Sequence, residues 1–407
     1  MNILLINHYA GGPIYGMEYR PYYLSREWVK MGHKVTILGA SYSHLRQVQP
    51  NVTKDFQEES VNGIEYVWFV TPKYKGAISR IINILIFFIK ILINSRKIVK
   101  RYSPNIVIAS STYPLDNIPA NKIAKLSDAK YIYEIHDIWP LSPMLIGGYS
   151  KYHPFIFIMQ YGENYAYKHC DKVVSLLWNA EKHCIQHGLN TGKFVCVPNG
   201  YNPDDWLLES INKKLPNEHN VAFEKLYNKF IVGFAGGFAV SGALTTLVET
   251  AKEMQEYSDI HFVLVGDGQE KENIKSLISE YNLKNITLLP AVSKHLIPAL
   301  NSHFHVSYMG GIHSLLHQYG TSYNKMTDYM LSAKPIIYAI DEPGCIVEKI
   351  GCGIQVQAES PKLNVDAILR IKSLSVIDRE KMGLKGRTYA QRHLQWQALS
   401  LKFLKAI

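Results

Sequence analysis

Short apolar runs alternate with helix-forming segments twice along this chain, once in each half. The first half has such runs at 3–7, 35–38, 106–111, 131–135, 173–176 and 194–198, and the second at 230–235, 261–266, 286–289, 304–308, 336–340 and 354–357. Strands that alternate with helices form parallel sheets. Since 407 residues exceed what one core normally serves, the sequence predicts an α/β protein with two Rossmann-like domains, residues 1–203 and 204–385.

The five cysteines argue against a disulfide framework and against a metal site. They are odd in number, they show no C-x-x-C spacing, and they stand at Cys170, Cys184, Cys196, Cys345 and Cys352. Thiols in such a pattern are typical of a reducing compartment. The chain opens directly on a strand, without a basic segment or a cleavage site, so no export signal is expected and the predicted location is cytoplasmic.

A basic and apolar segment, residues 73–101, accounts for much of the net charge of +10. It contains eight Lys or Arg residues and no acidic residue, around the apolar runs 81–89 and 91–93. It is too short and too charged to span a bilayer. The sequence favours an amphipathic helix lying on an anionic membrane surface, with nucleic acid not expected as a partner. The alternative is a buried core helix with a basic solvent face.

The segment 319–338 places polar and charged residues at the start of a predicted helix, Lys325 to Ser332. Lys325 and Asp328 stand three residues apart on one face of the first turn. The free N–H groups of a helix start favour an anion such as a diphosphate, and a carboxylate accepts hydrogen bonds from a ribose diol. The segment therefore predicts a nucleotide-sugar site. The alternative is a helix start with ordinary first-turn charges and no ligand.

This segment resembles the donor-site motif of the family 4 glycosyltransferases of the GT-B fold, most closely the bacterial branch that builds O-antigen, capsule and exopolysaccharide. The family pattern is Glu-x7-Glu. Here the second acid is Asp328, and Gly320 occupies the position of the first. The resemblance covers nearly the whole chain. It implies two Rossmann-like domains that face a cleft, with a last helix, 386–406, that packs back on the first domain.

The resemblance also implies the donor-binding residues. Gly236 and Gly237 form the corner that meets the diphosphate, but the Arg and Lys that the family carries there are missing, which leaves Lys325 as the replacement. The backbone at Val292 would read the base, and uracil suits it. The predicted donor-binding set is Gly12, Gly16, Gly236, Gly237, Val292, Gly320, Ser322, Asn324, Lys325 and Asp328.

Further predicted roles fall in the first domain, where His136 and Asp137 stand just after a strand. His136 matches the family histidine beside the reacting centre of the donor sugar, and a structural histidine is the alternative. Glu18, Arg20 and Asp137 are predicted on the acceptor side. The predicted catalytic residues are His136, Lys325 and Asp328, and no metal or other cofactor is expected because no metal motif is visible.

The activity that the resemblance implies is retaining transfer from a nucleoside-diphosphate sugar, with UDP favoured, to a lipid-linked saccharide on the cytoplasmic face of the membrane. Hexosyl and N-acetylhexosaminyl donors stay open. A UDP-sugar 2-epimerase of the same fold and a non-catalytic membrane-binding module are alternatives. A dehydrogenase is disfavoured because the glycines from Gly11 to Gly16 do not follow the G-x-G-x-x-G order.

Overall fold

A computed structural model describes residues 1–407 and divides into two compact units, 1–198 with 396–407 and 199–395. Each unit contains one largely parallel sheet with helices around it. The first boundary falls at Pro198, close to the predicted 203. The predicted α/β fold with two Rossmann-like domains is confirmed.

The N-terminal unit has an eight-stranded sheet in the order β3-β4-β2-β1-β5-β6-β7-β8. Its strands are β1 Asn2–Ile6, β2 Lys34–Ala40, β3 Gln57–Val61, β4 Ile64–Phe69, β5 Ile106–Ala109, β6 Lys130–Ile135, β7 Lys172–Ser175 and β8 Phe194–Cys196. Its first seven helices are α1 Arg20–Lys30, α2 Ala77–Ile93, α3 Ser95–Tyr102, α4 Asn117–Ser127, α5 Leu141–Leu145, α6 Pro154–His169 and α7 Glu181–Gln186. Short 3-10 turns cover Pro114–Asp116 and, in the second unit, Pro203–Trp206.

The C-terminal unit has a six-stranded parallel sheet in the order β11-β10-β9-β12-β13-β14. The strands are β9 Phe230–Gly237, β10 Ile260–Asp267, β11 Ile286–Leu289, β12 Val306–Gly310, β13 Ile336–Ala339 and β14 Gly353–Val356. The helices are α8 Leu208–Ile211, α9 Asn217–Lys225, α10 Leu244–Glu253, α11 Lys271–Glu280, α12 Ile297–Ser302, α13 Asn324–Leu331, α14 Ile346–Ile350, α15 Pro361–Ser373 and α16 Val376–His393. Strands such as β1 and β13 are buried on both faces, as central strands of a parallel sheet require.

The end of the chain is not the single helix predicted for 386–406. Helix α16 ends at His393, and α17 begins at Trp396 and runs to Lys405. The carbonyl of Leu394 accepts a hydrogen bond from the Tyr201 N–H (2.9 Å), so it is directed away from the helical ladder at this point. Residues up to 395 stay in the C-terminal unit, whereas α17 packs on α1, where the Trp28 indole donates to the Ser400 carbonyl (3.1 Å).

The predicted membrane-binding segment forms two helices, α2 and α3, which are bent by 63° at Asn94. Ile84, Phe87 and Ile91 are buried in the core, whereas the isoleucines at 78, 82, 89 and 93 are exposed. The segment thus combines a core face with an exposed apolar face. None of the helices is long and apolar enough to cross a bilayer, and only α2 and α3 taken as a pair reach that length and composition.

Candidate active site

The glycine corner of the C-terminal unit lies where β9 ends. Gly236 has φ +153°, and a Cβ placed on it would lie 3.3 Å from Nζ of Lys325. The lysine reaches this point from α13, and its ammonium lies 4.5 Å from the centre of the Phe234 ring. Gly236 thus provides the room that the lysine head occupies. The structure therefore brings together Lys325 and the corner predicted to meet a diphosphate.

Burial lowers the pKa of Lys325 to about 8, because a charged ammonium loses hydration there. An anion bound beside it would stabilise the charged form further. The surrounding open pocket is lined by Gly237, Ala239, Ser241, Gly242, Met309, Gly310, Tyr323 and Lys325. Sequence reasoning missed Ser241, Gly242 and Gly310. Gly310 ends β12 and Gly311 follows it, as Gly236 and Gly237 end β9, so the same glycine signal would have found this second corner.

Helix α13 begins at Asn324, one residue before the predicted start. Tyr323 at its N-cap provides no side-chain oxygen to the first turn, and Asn324 is exposed. Ser322 has a different contact from the predicted one: its hydroxyl oxygen accepts from the Asn199 N–H (2.8 Å), and its carbonyl accepts from the Asn199 amide (2.8 Å). Ser322 therefore holds the start of the C-terminal unit, and its hydroxyl retains its hydrogen and one lone pair for a ligand.

Gly320 has φ +93° at the end of a 3-10 turn, Leu315–Tyr319. Glutamate is strained in this left-handed region, which gives a physical reason for the missing first acid. The next residue, Thr321, donates to the buried carboxylate of Glu342 (2.7 Å), which also accepts from the Tyr338 hydroxyl. Glu342 lies beyond the segment that sequence reasoning considered, so it was missed.

Asp328 lies three residues after Lys325 and accepts a hydrogen bond from the Trp206 indole. Burial raises its pKa to about 6, and Lys294 partly opposes this shift. Val292 and Trp206 both pack, partly buried, against the hydrophobic core cluster that contains Met326 and Tyr329. The Asp328 side chain is therefore partly buried, beside the Trp206 indole and within the electrostatic influence of Lys294.

The glycine loop of the N-terminal unit is closed by its own hydrogen bonds. The N–H of Gly12 donates to Gly16 (2.9 Å), that of Gly16 donates to Gly12 (2.8 Å), and that of Gly11 donates to Glu18 (3.1 Å). A Cβ on Gly11 would lie 2.3 Å from the Gly16 carbonyl oxygen. These three N–H groups are committed within the loop, so in this conformation Gly12 and Gly16 do not offer them to a diphosphate as predicted.

A buried ion pair lies beside this loop. Arg20 and Glu134 are 2.9 Å apart, with 2% and 0% of their side chains exposed. The guanidinium also donates to the carbonyls of Val197 (2.8 Å) and Pro198 (2.9 Å). Arg20, predicted on the acceptor side, is therefore a buried structural cation. Glu134 was missed, although a glutamate inside an apolar strand is itself a signal, because a buried carboxylate needs partners.

His136 connects this ion pair to Glu18. Its Nε2 lies 3.0 Å from the Ser110 hydroxyl and 3.3 Å from Glu134, and its Nδ1 lies 3.3 Å from Glu18. Burial by itself lowers the pKa of His136, but the carboxylates of Glu18 and Glu134 outweigh burial and raise it to about 9. At neutral pH the ring is therefore an imidazolium. Its Nε2 is directed at Ser110 and Glu134, so the predicted Nε2 contact with a sugar hydroxyl does not fit this arrangement.

Asp137 caps the turn that follows β6. Its Oδ1 accepts from the Ser142 hydroxyl (2.5 Å) and from the Ile138 N–H (2.9 Å). These contacts make it a turn residue instead of the predicted acceptor contact. Glu18, with 22% of its side chain exposed, is the acidic group of this cluster that reaches solvent.

The comparisons with known proteins agree with this architecture. Residues 14–205 match the model of Glycosyltransferase Family 4. An uncharacterized glycosyltransferase of Methanocaldococcus jannaschii is 27% identical over 250 residues, a match that takes in 57% of this chain and 59% of that relative's length.

Solved structures resemble this chain over nearly its whole length. Anabaena HepE in complex with UDP and glucose has a TM-score of 0.67 at 13% identity, covering 100% of this chain and 98% of that one. Sucrose-phosphate synthase from Thermosynechococcus elongatus has a TM-score of 0.72 at 15% identity, covering 99% and 97%. At these identities the likeness establishes the fold, which is GT-B.

Proposed function

We propose that the protein is a retaining glycosyltransferase that moves a sugar from a UDP-sugar to a lipid-linked saccharide in surface polysaccharide biosynthesis. The observation that carries the proposal is the position of Lys325. Its ammonium lies beside Gly236, at the end of β9, and Asp328 follows it by three residues on α13. A cation at a glycine corner and a carboxylate on one helix suit the diphosphate and the ribose of a single nucleotide.

The proposed transfer requires that the negative charge on the departing diphosphate be neutralised. Lys325 provides a positive charge, and the start of α13 adds the positive end of a helix dipole. His136 is assigned to the sugar end through its charged ring, which is held by Glu18 and Glu134. No side chain is assigned as a nucleophile, so the favoured route is front-face substitution, in which the departing phosphate helps to remove the acceptor proton. No metal is required.

UDP is the favoured nucleotide because the backbone near Val292 suits uracil and because HepE, a structural relative, was solved with UDP and with UDP-glucose. A thermal-shift comparison of UDP, GDP, ADP and dTDP tests this choice. A UDP-sugar 2-epimerase is the second candidate, since His136 with two carboxylates is an acid-base cluster. Incubation with UDP-sugar alone separates the two, because an epimerase interconverts the donor and a transferase does not.

Asp328→Asn should weaken UDP binding by about 10- to 100-fold, because the ribose loses hydrogen bonds to a charged acceptor. The wild type should also lose affinity as the pH falls through about 6, since protonation removes the acceptor: about tenfold between pH 7.5 and pH 5. Calorimetry measures both effects. UDP itself titrates in this range, so the pH dependence that remains in Asp328→Asn is subtracted. Equal affinities of the two proteins at pH 7.5 would contradict the assignment.

The membrane partner rests on the α2–α3 segment. Ile78 and Ile93 expose 77% and 70% of their surface, and Arg96 and Lys100 are exposed on α3. Lys90 has another role, because it pairs with Asp55 (2.8 Å) and donates to the Val70 carbonyl. We therefore assign attraction to the membrane to the unpaired basic residues of the segment, and we assign Lys90 a structural role. This contact would place the protein at the cytoplasmic face of the membrane.

Replacing four exposed basic residues of this segment, Lys73, Lys75, Arg96 and Lys100, by Gln should release the protein from vesicles that contain anionic lipid. Each contributes about 1 kcal/mol near such a surface. Co-sedimentation at low salt is the measurement. A control with the same charge change carries Gln at the exposed lysines 275, 284, 362 and 381 of the C-terminal unit and should remain bound. Release of both variants alike would show that net charge, and not this segment, determines binding.

A further inference from the structure

A cluster of potential metal ligands lies between α6 and α7, away from every residue assigned above. Glu163 projects from α6, and His183 and His187 lie four residues apart on α7 and at its end. One ligand atom from each lies within 4.8 Å of the other two. Two imidazoles and a carboxylate are a donor set that binds Zn²⁺, with a fourth position left for water or another oxygen.

The contacts within the cluster already resemble part of a coordination sphere. The Nε2 of His183 is 2.8 Å from Oε1 of Glu163, and the two histidine rings lie 4.4 Å apart. Ligands that bind one zinc ion at about 2.0–2.1 Å are separated by roughly 3.4 Å in a tetrahedral site. On binding, His183 Nε2 and Glu163 Oε1 would therefore separate slightly, and the ligand atom of His187, within 4.8 Å of both, would approach them.

Neighbouring groups hold the carboxylate in place. The hydroxyl of Tyr167 donates to Oε1 of Glu163 (3.0 Å), and the Gln160 amide donates to Oε2 (2.7 Å). Such partners orient a metal ligand and tune its affinity. Glu163 and His183 are buried and His187 is half-buried, so a path to solvent remains on the His187 side.

We propose that Glu163, His183 and His187 form a structural Zn²⁺ site that joins α6 to α7 in the N-terminal unit. The bound ion would replace the proton shared between His183 and Glu163 and would cross-link two helices that otherwise meet through side chains. The proposal does not depend on the proposed transfer reaction, whose assigned residues are elsewhere in the chain.

The test uses the full chain, stripped with a chelator and dialysed against Zn²⁺, with bound metal measured by mass spectrometry. Wild type should retain one zinc ion more than His187→Gln and Glu163→Gln, whose affinity at this site should fall by at least about 100-fold. Thermal unfolding should shift upward with Zn²⁺ in the wild type but not in His187→Gln or Glu163→Gln. Co²⁺ in place of zinc should give a visible absorption band that His187→Gln lacks.

His169→Gln is the matched control, since His169 is an exposed histidine on the same helix α6 and is bonded to its own backbone at Tyr165. It should bind zinc as the wild type does. Because His187 is half-buried, His187→Gln should fold, which circular dichroism without metal checks. Equal zinc content in all four proteins, or no zinc retained by the wild type, would overturn the proposal.

Discussion

Arg20→Ala should lower the free energy of unfolding of the N-terminal unit by about 3–5 kcal/mol, the largest effect on stability expected in this chain. The substitution leaves Glu134 charged and fully buried, with its main cation removed. It also removes the donor that the carbonyls of Val197 and Pro198 share. Arg20 holds the pKa of Glu134 at about 2 against the opposing effect of burial, so its loss should raise that pKa strongly.

Denaturant unfolding of the full chain measures the effect, with hydrogen exchange of the β6 amides reporting on the N-terminal unit. Arg26→Ala is the control on the same helix, because Arg26 makes a more exposed pair with Glu27 and should cost about 1 kcal/mol or less. Adding Glu134→Gln to Arg20→Ala should recover part of the loss. If Arg20→Ala is no more destabilising than Arg26→Ala, the buried pair does not have this role.

Lys325→Met should reduce kcat by about 100- to 1,000-fold, the largest effect on turnover that the site predicts. The lysine is the charge closest to the Gly236 corner, so its interaction with the diphosphate should strengthen as the diphosphate departs. KM for the donor should change less than kcat. Because the pKa of Lys325 is about 8, kcat/KM of the wild type should fall as the pH rises through that value and the ammonium loses its charge.

Steady-state kinetics with a short soluble acceptor measures both effects. Lys284→Met removes an exposed lysine of the same unit and should leave turnover unchanged. The basic limb of the pH profile should disappear in Lys325→Met. A rise in KM with kcat intact would instead mean that the lysine binds the ground-state phosphate without a special role in the transition state.

The residues of the candidate site in the C-terminal unit could be grouped from the sequence because they lie close together in it or at strand ends. Asn324, Lys325 and Asp328 occupy one helix start, and the end of an apolar strand fixed the place of Gly236 and Gly237. Only the short distance between Lys325 and Gly236 could not be read from the sequence, because it depends on the folded structure. A helix start and a strand end are local features, and both can be recognised in a single sequence.

The N-terminal site was predicted less well because its contacts join residues far apart in sequence. Arg20 meets Glu134 across 114 residues, and no local pattern distinguishes a buried arginine from one that faces a ligand.

A local signal for the hairpin between β3 and β4 was also missed. Asn62 and Gly63 have φ of +52° and +79°, the turn that joins β3 to β4, and an Asn-Gly pair between two strands is a strong hairpin signal.

The closed glycine loop from Gly11 to Glu18 separates a self-supporting backbone from the side chains that it presents outward. Since the loop's backbone path is fixed by bonds within itself, its outward side chains are free to vary without loss of those bonds. Ile14 and Met17 on this loop expose 54% and 49% of their surface. Libraries restricted to these two positions can therefore alter what the loop touches while the scaffold beneath keeps its conformation.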